Sequence, residues 1–238
     1  MNDLLQFAID AHGGLDHWRR WSSLSADLSI GGALWDAKAR PGLLTHTAFM
    51  ASLHEQHAEI SLPNESKLFC FSPQQVSVRS DDGTELSASG DPRATFAALT
   101  QDPYWSDVQL GYFNGYALWQ YFTAPFLYAS PGFNCSEEAP WHENGEVWRV
   151  LRVTFPNHIA SHTRVQRAYY GPDGLLRRHQ YVVDVLGGAQ AVNYADDFVQ
   201  IGGIMLPMRR RVYGHDASGR TISDPLLVSI DVRGLRFL

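Results

Sequence analysis

Apolar and polar residues alternate with a period of two over 23–31, 43–54, 57–62, 67–71 and 75–79, the pattern of strands with one buried face. Pro, Gly, Asn or Asp stands between most of these runs, and Asp81-Asp82-Gly83 makes a turn after the fifth. No helical stretch separates them, so residues 23–90 read as an antiparallel meander and not as βαβ units. The alternation returns in 146–155, 164–170, 175–186, 190–199, 206–213 and 226–237. There Gly171-Pro172-Asp173-Gly174, Gly187-Gly188 and Gly202-Gly203 join successive strands as tight turns. The predicted organisation is one domain over 1–238, mainly β, with about eleven antiparallel strands in up-and-down order, the second meander running from 146 to 238.

Two stretches depart from this period. Residues 1–22 read as short N-terminal helices: Asn2 or Asp3 can cap the first, Leu5, Ala8, Ile9 and His12 share one face, and Gly13-Gly14 supplies a left-handed stop. Leu15, Trp18 and Trp21 fall on the apolar side of the turn that follows. Residues 91–133 form an insertion in which Asp91-Pro92 and Asp102-Pro103 each pair a capping acid with a proline at the first helical position, predicting two helix starts. In the second helix, over 103–124, Trp105, Val108, Tyr112, Tyr116 and Trp119 recur at spacings of three and four, and Pro125 ends it. Gly111 and Gly115 weaken that helix by roughly 1 kcal/mol each relative to alanine, unless a neighbour must pack close to its backbone.

Eleven aromatic residues lie between Tyr104 and Phe133, far above an even share. Each buries about 150–250 Å², so the insertion must meet a large apolar surface. Two readings stand. Either it plugs the core of a curved sheet, or it forms a lid over a pocket for an apolar ligand, with Trp105, Tyr112, Tyr116, Trp119 and Phe122 as lining residues and the polar tips of Tyr and Trp suited to a half-wet cavity.

With 45% apolar and 18% charged residues, the chain supports a sizeable core and is not disordered. A net charge of -6 leaves no positive field for general nucleic-acid binding. Cys70 and Cys135 are too few for a disulfide framework and lack metal-ligand spacing. The N-terminus shows no signal-peptide pattern, and no run reaches the eighteen or so apolar residues of a membrane span. The expectation is a soluble cytoplasmic protein with free thiols; the oligomeric state is open.

Candidate chemistry is sparse. His158 and His162 stand four apart, but in a connection between strands and without a Cys, Asp or Glu nearby, so no metal is expected. His46 and His54 share a strand face. His162 and Asp184 can approach across a hairpin end as an acid–base pair, with Tyr170 or Arg178 donating to a substrate oxygen. The runs Arg19-Arg20, Arg177-Arg178 and Arg209-Arg210-Arg211 each place one guanidinium on the concave side or its rim, where it can hold an anionic head group; the alternative is cross-strand pairing with Asp196, Asp197 or Asp231. No G-x-S-x-G, phosphate-binding glycine loop, G-x-G-x-x-G or H-E-x-x-H is present, and no cofactor is expected.

The runs EVWRVLRVTFP, RAYYGPDGLLRRHQYVV and VNYADDFVQIGGIMLPMRRRVY resemble the lipoprotein-carrier (LolA/LolB-like) superfamily and its cytoplasmic-looking relatives. The likeness covers Trp148–Arg211 well and AHGGLDHWRRW loosely. It implies an open, highly curved antiparallel half-barrel closed by helices around an apolar cavity that holds acyl chains or another greasy ligand. Carriers of that superfamily are exported or lipid-anchored, features not expected here, so lipoprotein transport itself is not implied. The expected function is binding of a hydrophobic small molecule or lipid. The alternatives are a cavity enzyme using His162 and Asp184, and a structural or partner-binding module whose cavity is filled by its own side chains.

Overall fold

A computed structural model describes residues 2–98 and 104–238. The first meander comprises β1 (Ser23–Gly31), β2 (Thr47–Ser52), β3 (Ala58–Leu62), β4 (Lys67–Ser72), β5 (Gln75–Ser80) and β6 (Glu85–Ser89). The second comprises β7 (Asn134–Glu143), β8 (Glu146–Thr154), β9 (Val165–Tyr170), β10 (Leu176–Val183), β11 (Ala189–Ile201) and β12 (Ile204–His215), followed by the two-residue β13 (Thr221–Ile222) and by β14 (Val228–Phe237). All belong to one 14-stranded antiparallel sheet of order β6-β5-β4-β3-β2-β1-β14-β12-β11-β10-β9-β8-β7, with β13 beside β12. It is open, not closed into a barrel. The last strand, β14, sits between β1 and β12 and joins the two meanders.

The strands beyond the expected eleven are β6, β7 and β13. The first two are the sheet edges, and they are exposed or half-exposed on both faces. Without a buried face they carry no period-two apolar signal, and Glu137, Glu138 and Glu143 on β7 are the charges that discourage edge-to-edge pairing.

At the N-terminus α1 (Asp3–Ala11) is capped by the Asn2 side chain, which accepts from the Leu5 amide. The chain then turns through Gly13 and Gly14 into α2 (Leu15–Trp18). A Cβ on Gly13 would lie 2.1 Å from the Gly203 carbonyl oxygen, so this helix end is seated on the β11–β12 turn. The Gly171–Gly174 hairpin forms as expected: Gly174 has φ +79°, and its amide donates to the Gly171 carbonyl. A short helix not expected from the pattern, α3 (Ala33–Ala37), buries Trp35.

The insertion differs in detail from expectation. Asp91-Pro92 starts only a 3₁₀ turn at Ala94–Ala98, and Asp102-Pro103 lies outside the described residues. The long helix is α4 (Asp107–Thr123). It begins at Ser106, whose hydroxyl accepts from the Gln109 amide while the Gln109 side chain accepts from the Ser106 amide, a reciprocal cap. Asp107 in its first turn pairs with Arg40 and Lys67, each at 2.9 Å. Every residue from Val108 to Thr123 is buried. In this structure α4 has no wet face and fills the concave side of the sheet. It packs on β3, β4, β5 and β6, where Gly111 and Gly115 permit the close approach: a Cβ on Gly115 would sit 2.3 Å from Phe71 Cγ.

The core is continuous from α1 through α4 to both meanders. On the opposite, convex face a separate small cluster forms around Trp148, Val150 and Tyr169, with Trp141 and Tyr194 packed against it.

Candidate functional site

Two surfaces of α4 meet different environments. The side facing the first meander is apolar: Phe122 stacks on Phe49 at 5.3 Å, Tyr112 packs edge-on against Phe71, and Trp105 nests among Trp35, Phe96 and Phe113. Trp119 donates its indole N–H to the Ser52 carbonyl oxygen at 2.8 Å. Thus all five aromatic residues expected to line a pocket are buried.

The side facing the second meander is a polar seam. His162, from the β8–β9 connection, lies between Tyr116, 3.2 Å from its Nδ1, and Tyr121, 3.0 Å from its Nε2. Its ring stacks on Tyr181 at 4.0 Å with an interplanar angle of 2°, and the Tyr121 and Tyr181 hydroxyls are 2.6 Å apart. Burial, reinforced by His179 and Arg93, holds the imidazole well below its ordinary pKa. In the neutral ring one nitrogen donates and the other accepts, so one of the two tyrosines accepts and the other donates. Burial raises all three phenols. The cluster is buried and uncharged at neutral pH.

Further along the seam, Gln120 donates from Nε2 to Gln166 Oε1 at 2.6 Å and to His179 Nε2 at 3.2 Å. His179, depressed to about 3 by burial and by the Arg210 charge, accepts. Arg210 donates from Nη2 to the Tyr121 carbonyl oxygen at 2.8 Å, with its guanidinium 4.9 Å above the Tyr121 ring. It is 5% exposed, and burial lowers it to about 10, so it stays charged at neutral pH. Among the described residues four buried polar atoms here lack a hydrogen-bond partner of ordinary geometry: Arg210 Nη1, Gln120 Oε1, and both Nδ2 and Oδ1 of Asn193, although the Asn193 side chain still interacts with the Tyr121 phenol.

The other expected site residues are dispersed. Asp184 donates its backbone amide to the His162 carbonyl, but its carboxylate turns outward to Arg93 at 2.9 Å, so the expected acid–base pair of side chains is not assembled. Tyr170 is buried beneath α1, edge-on to His12. Arg178 is on the convex face, where it pairs with Glu143 at 2.8 Å and lies 4.9 Å from Trp141 and 5.0 Å from Tyr169. The cause is a bulge between Leu176 and Arg178, which shifts the alternation by one and turns His179 and Tyr181 inward instead. In the run 209–211, Arg210 faces inward as expected, while Arg209 and Arg211 pair outside with Asp197 and Asp231.

Sequence reasoning missed Gln120, Gln166, His179, Asn193 and, as an individual, Arg210. A signal existed: on β12 the inward positions read Ile204, Leu206, Met208, Arg210, Val212, a charge in an otherwise apolar row.

Two pockets adjoin the seam. One is small and apolar, about 60 Å³, between α4 and the sheet near Ala117, Leu118, Tyr121, Tyr181, Val212 and Ile230. The other is an open cleft of about 440 Å³ bordered by Arg93, Tyr112, His158, Arg164 and Asp184. His158 is exposed there while His162 is buried, so the two do not share a ligand. Among the described residues no cluster of three or more His, Cys, Asp or Glu side chains is placed to hold a metal ion, and no helix is long and apolar enough to cross a membrane. Cys70 and Cys135 are not joined.

No protein-family model and no curated protein matches the chain. Three solved structures are similar to it over 98% of its length: a LolA superfamily protein from Nitrosomonas europaea (TM-score 0.54, 10% identity, 92% of that chain), an outer membrane lipoprotein-sorting protein domain, so assigned, from Vibrio parahaemolyticus (0.54, 10%, 91%), and a DUF1329 family protein from Desulfovibrio piger (0.52, 12%, 91%). At these identities the likeness is one of fold.

Proposed function

We propose that this chain, which has the LolA-like fold, binds a hydrophobic small molecule or lipid between α4 and the second meander. The observation that carries the reading is the unequal seating of α4. Toward β4 it is fixed by glycine-permitted contact with Phe71 and by apolar packing. Toward β9–β12 it meets a polar seam in which, among the described residues, four buried atoms lack a hydrogen bond of ordinary geometry, against Trp105 Nε1 on the first-meander side. An apolar interface loses its full transfer free energy when it opens, about 25 cal/mol per Å². A polar interface with unmet hydrogen bonds regains solvation on opening, so it is the weaker plane. The pocket already on that plane, about 60 Å³, is far below the roughly 300–1,000 Å³ of a typical ligand site. Binding therefore requires α4 to move away from the second meander. The assignment of the similar Vibrio protein to lipoprotein sorting agrees with an acyl-bearing ligand.

The filled concave face favours a second reading, a self-filled structural module. Titration with N-phenyl-1-naphthylamine separates the two. The binding reading expects saturable one-site fluorescence enhancement that a long-chain lipid competes away. Ala117→Phe, which fills the pocket, should abolish it without unfolding the protein. Absence of saturable binding by the native chain would leave only the self-filled module.

A further inference from the structure

Two arginines among the described residues are buried, and their surroundings differ. Arg178 has Glu143 at 2.8 Å and three aromatic rings around it. Among the described residues Arg210 forms no salt bridge, its hydrogen bond goes to a single carbonyl oxygen, and its Nη1 has no partner. The groups closest in charge terms are tyrosines 121, 128 and 181, together with His12 and His179, whose imidazoles its charge depresses; all are neutral at physiological pH. The carboxylates of the two strands that flank β12, Asp196 and Asp197 on β11 and Asp231 on β14, lie outside with Arg209 and Arg211. A buried cation without a counter-ion is costly, and removing its partner is what usually creates one.

Asn193 lies on the adjacent strand, on the same face, opposite Val212 and one inward position away from Arg210. It is fully buried, and neither of its side-chain polar atoms has a hydrogen bond of ordinary geometry among the described residues; its one side-chain interaction is with the Tyr121 phenol. Thus a guanidinium N–H is open, and beside it an amide N–H is engaged only with the Tyr121 phenol on α4, a contact released when α4 moves away. That donor pair is the complement of an oxyanion, for which charge-assisted hydrogen bonds are the strong ones. The apolar pocket begins beside them: Tyr121 touches Arg210 and lines the pocket, and Ile230, paired with Arg210 across β12–β14, and Val212 line it too.

Building on the binding reading, we propose that Arg210 and Asn193 form the head-group receptor for a long-chain carboxylic acid, with the carboxylate taken by Arg210 Nη1 and Asn193 Nδ2 and the chain laid along Leu118, Tyr121, Val212 and Ile230 where α4 now lies. The incoming carboxylate supplies the counter-ion that Arg210 lacks among the described residues, so ligand specificity resides in the head group as well as in the greasy surface.

Isothermal titration with hexadecanoate, methyl hexadecanoate and hexadecanol, each below its aggregation threshold, tests this. The native protein should bind the acid at least tenfold more tightly than the ester or the alcohol. Arg210→Met should erase that preference while retaining binding of the alcohol, and Arg210→Lys should keep part of it. Asn193→Leu, which leaves the cation in place, should reduce the preference several-fold, a second variant should Arg210→Met fail to fold. Without ligand, Arg210→Met should melt at a temperature equal to or above the native one, because an uncompensated buried charge has been replaced by apolar volume. Equal affinity for acid, ester and alcohol would overturn the head-group receptor and leave hydrophobic binding intact. No binding of any of the three would remove both proposals.

Discussion

Three buried histidines make stability depend on pH. Burial holds His12 to about 4, His179 to about 3 and His162 well below its ordinary value, against 6.5 in the unfolded chain. Between those limits the unfolded chain binds protons that the folded chain refuses, so stability is full above pH 6.5 and is lost as the pH falls below it. Each histidine contributes a slope of roughly 1.4 kcal/mol per pH unit, and all three together roughly 4, until the folded values are reached. Urea midpoints should be nearly level from pH 8 to 7 and fall steeply from pH 6.5 to 5, with a shallower fall in His179→Gln. A level profile down to pH 5 would mean that these rings are not buried neutral. At this scale the sequence exposed His162 and Tyr116 separately but not their meeting, which joins a loop to a helix 46 residues away. Arg178 and Arg210 show the same limit: each stands in a run of arginines, and a single bulge decides which face one of them takes.

Among the elements, α4 carries most of the account. Alanine at a helix interior is favoured over glycine by about 1 kcal/mol, yet at 115 its Cβ would be 2.3 Å from Phe71 Cγ and 2.6 Å from Phe71 Cβ, the root of a ring fixed on β4. Gly115→Ala should therefore destabilise by about 1–3 kcal/mol net, as overpacking does. At 111 the nearest atom would be Val76 Cγ1 at 3.1 Å, and Gly111→Ala should change stability less. Urea denaturation of both variants checks the order; a Gly115 variant as stable as the native chain would mean that α4 is not seated on β4. The helix itself was legible through its aromatic spacing, as were the meanders through their period of two. Its true start was not, because the capping box of Ser106 and Gln109 is a weaker pattern than Asp102-Pro103. The edge strands β6 and β7 escaped because a strand with no buried face leaves no alternation to read.

For the whole molecule, the period of two and the glycine turns at 171–174, 187–188 and 202–203 carried the antiparallel architecture, and the resemblance in 148–211 carried the LolA-like fold. What could not be read was how the concave face is filled, since the same aromatic helix satisfies a lid and a plug. The central claim is that α4 parts from the second meander more readily than from the first. Ala168 on β9 shares the inward face of Gln166, and Ala51 on β2 shares the inward face of Phe49; both are 1% exposed. With Cys70 and Cys135 replaced by serine, the single-cysteine variants Ala168→Cys and Ala51→Cys can be labelled by a thiol reagent under native conditions. Opening along the seam predicts that the cysteine at 168 is modified well faster than the protein unfolds, while the one at 51 is modified only at the rate of global unfolding. Modification of both at the global unfolding rate would contradict the account, and α4 would then be a fixed part of the core.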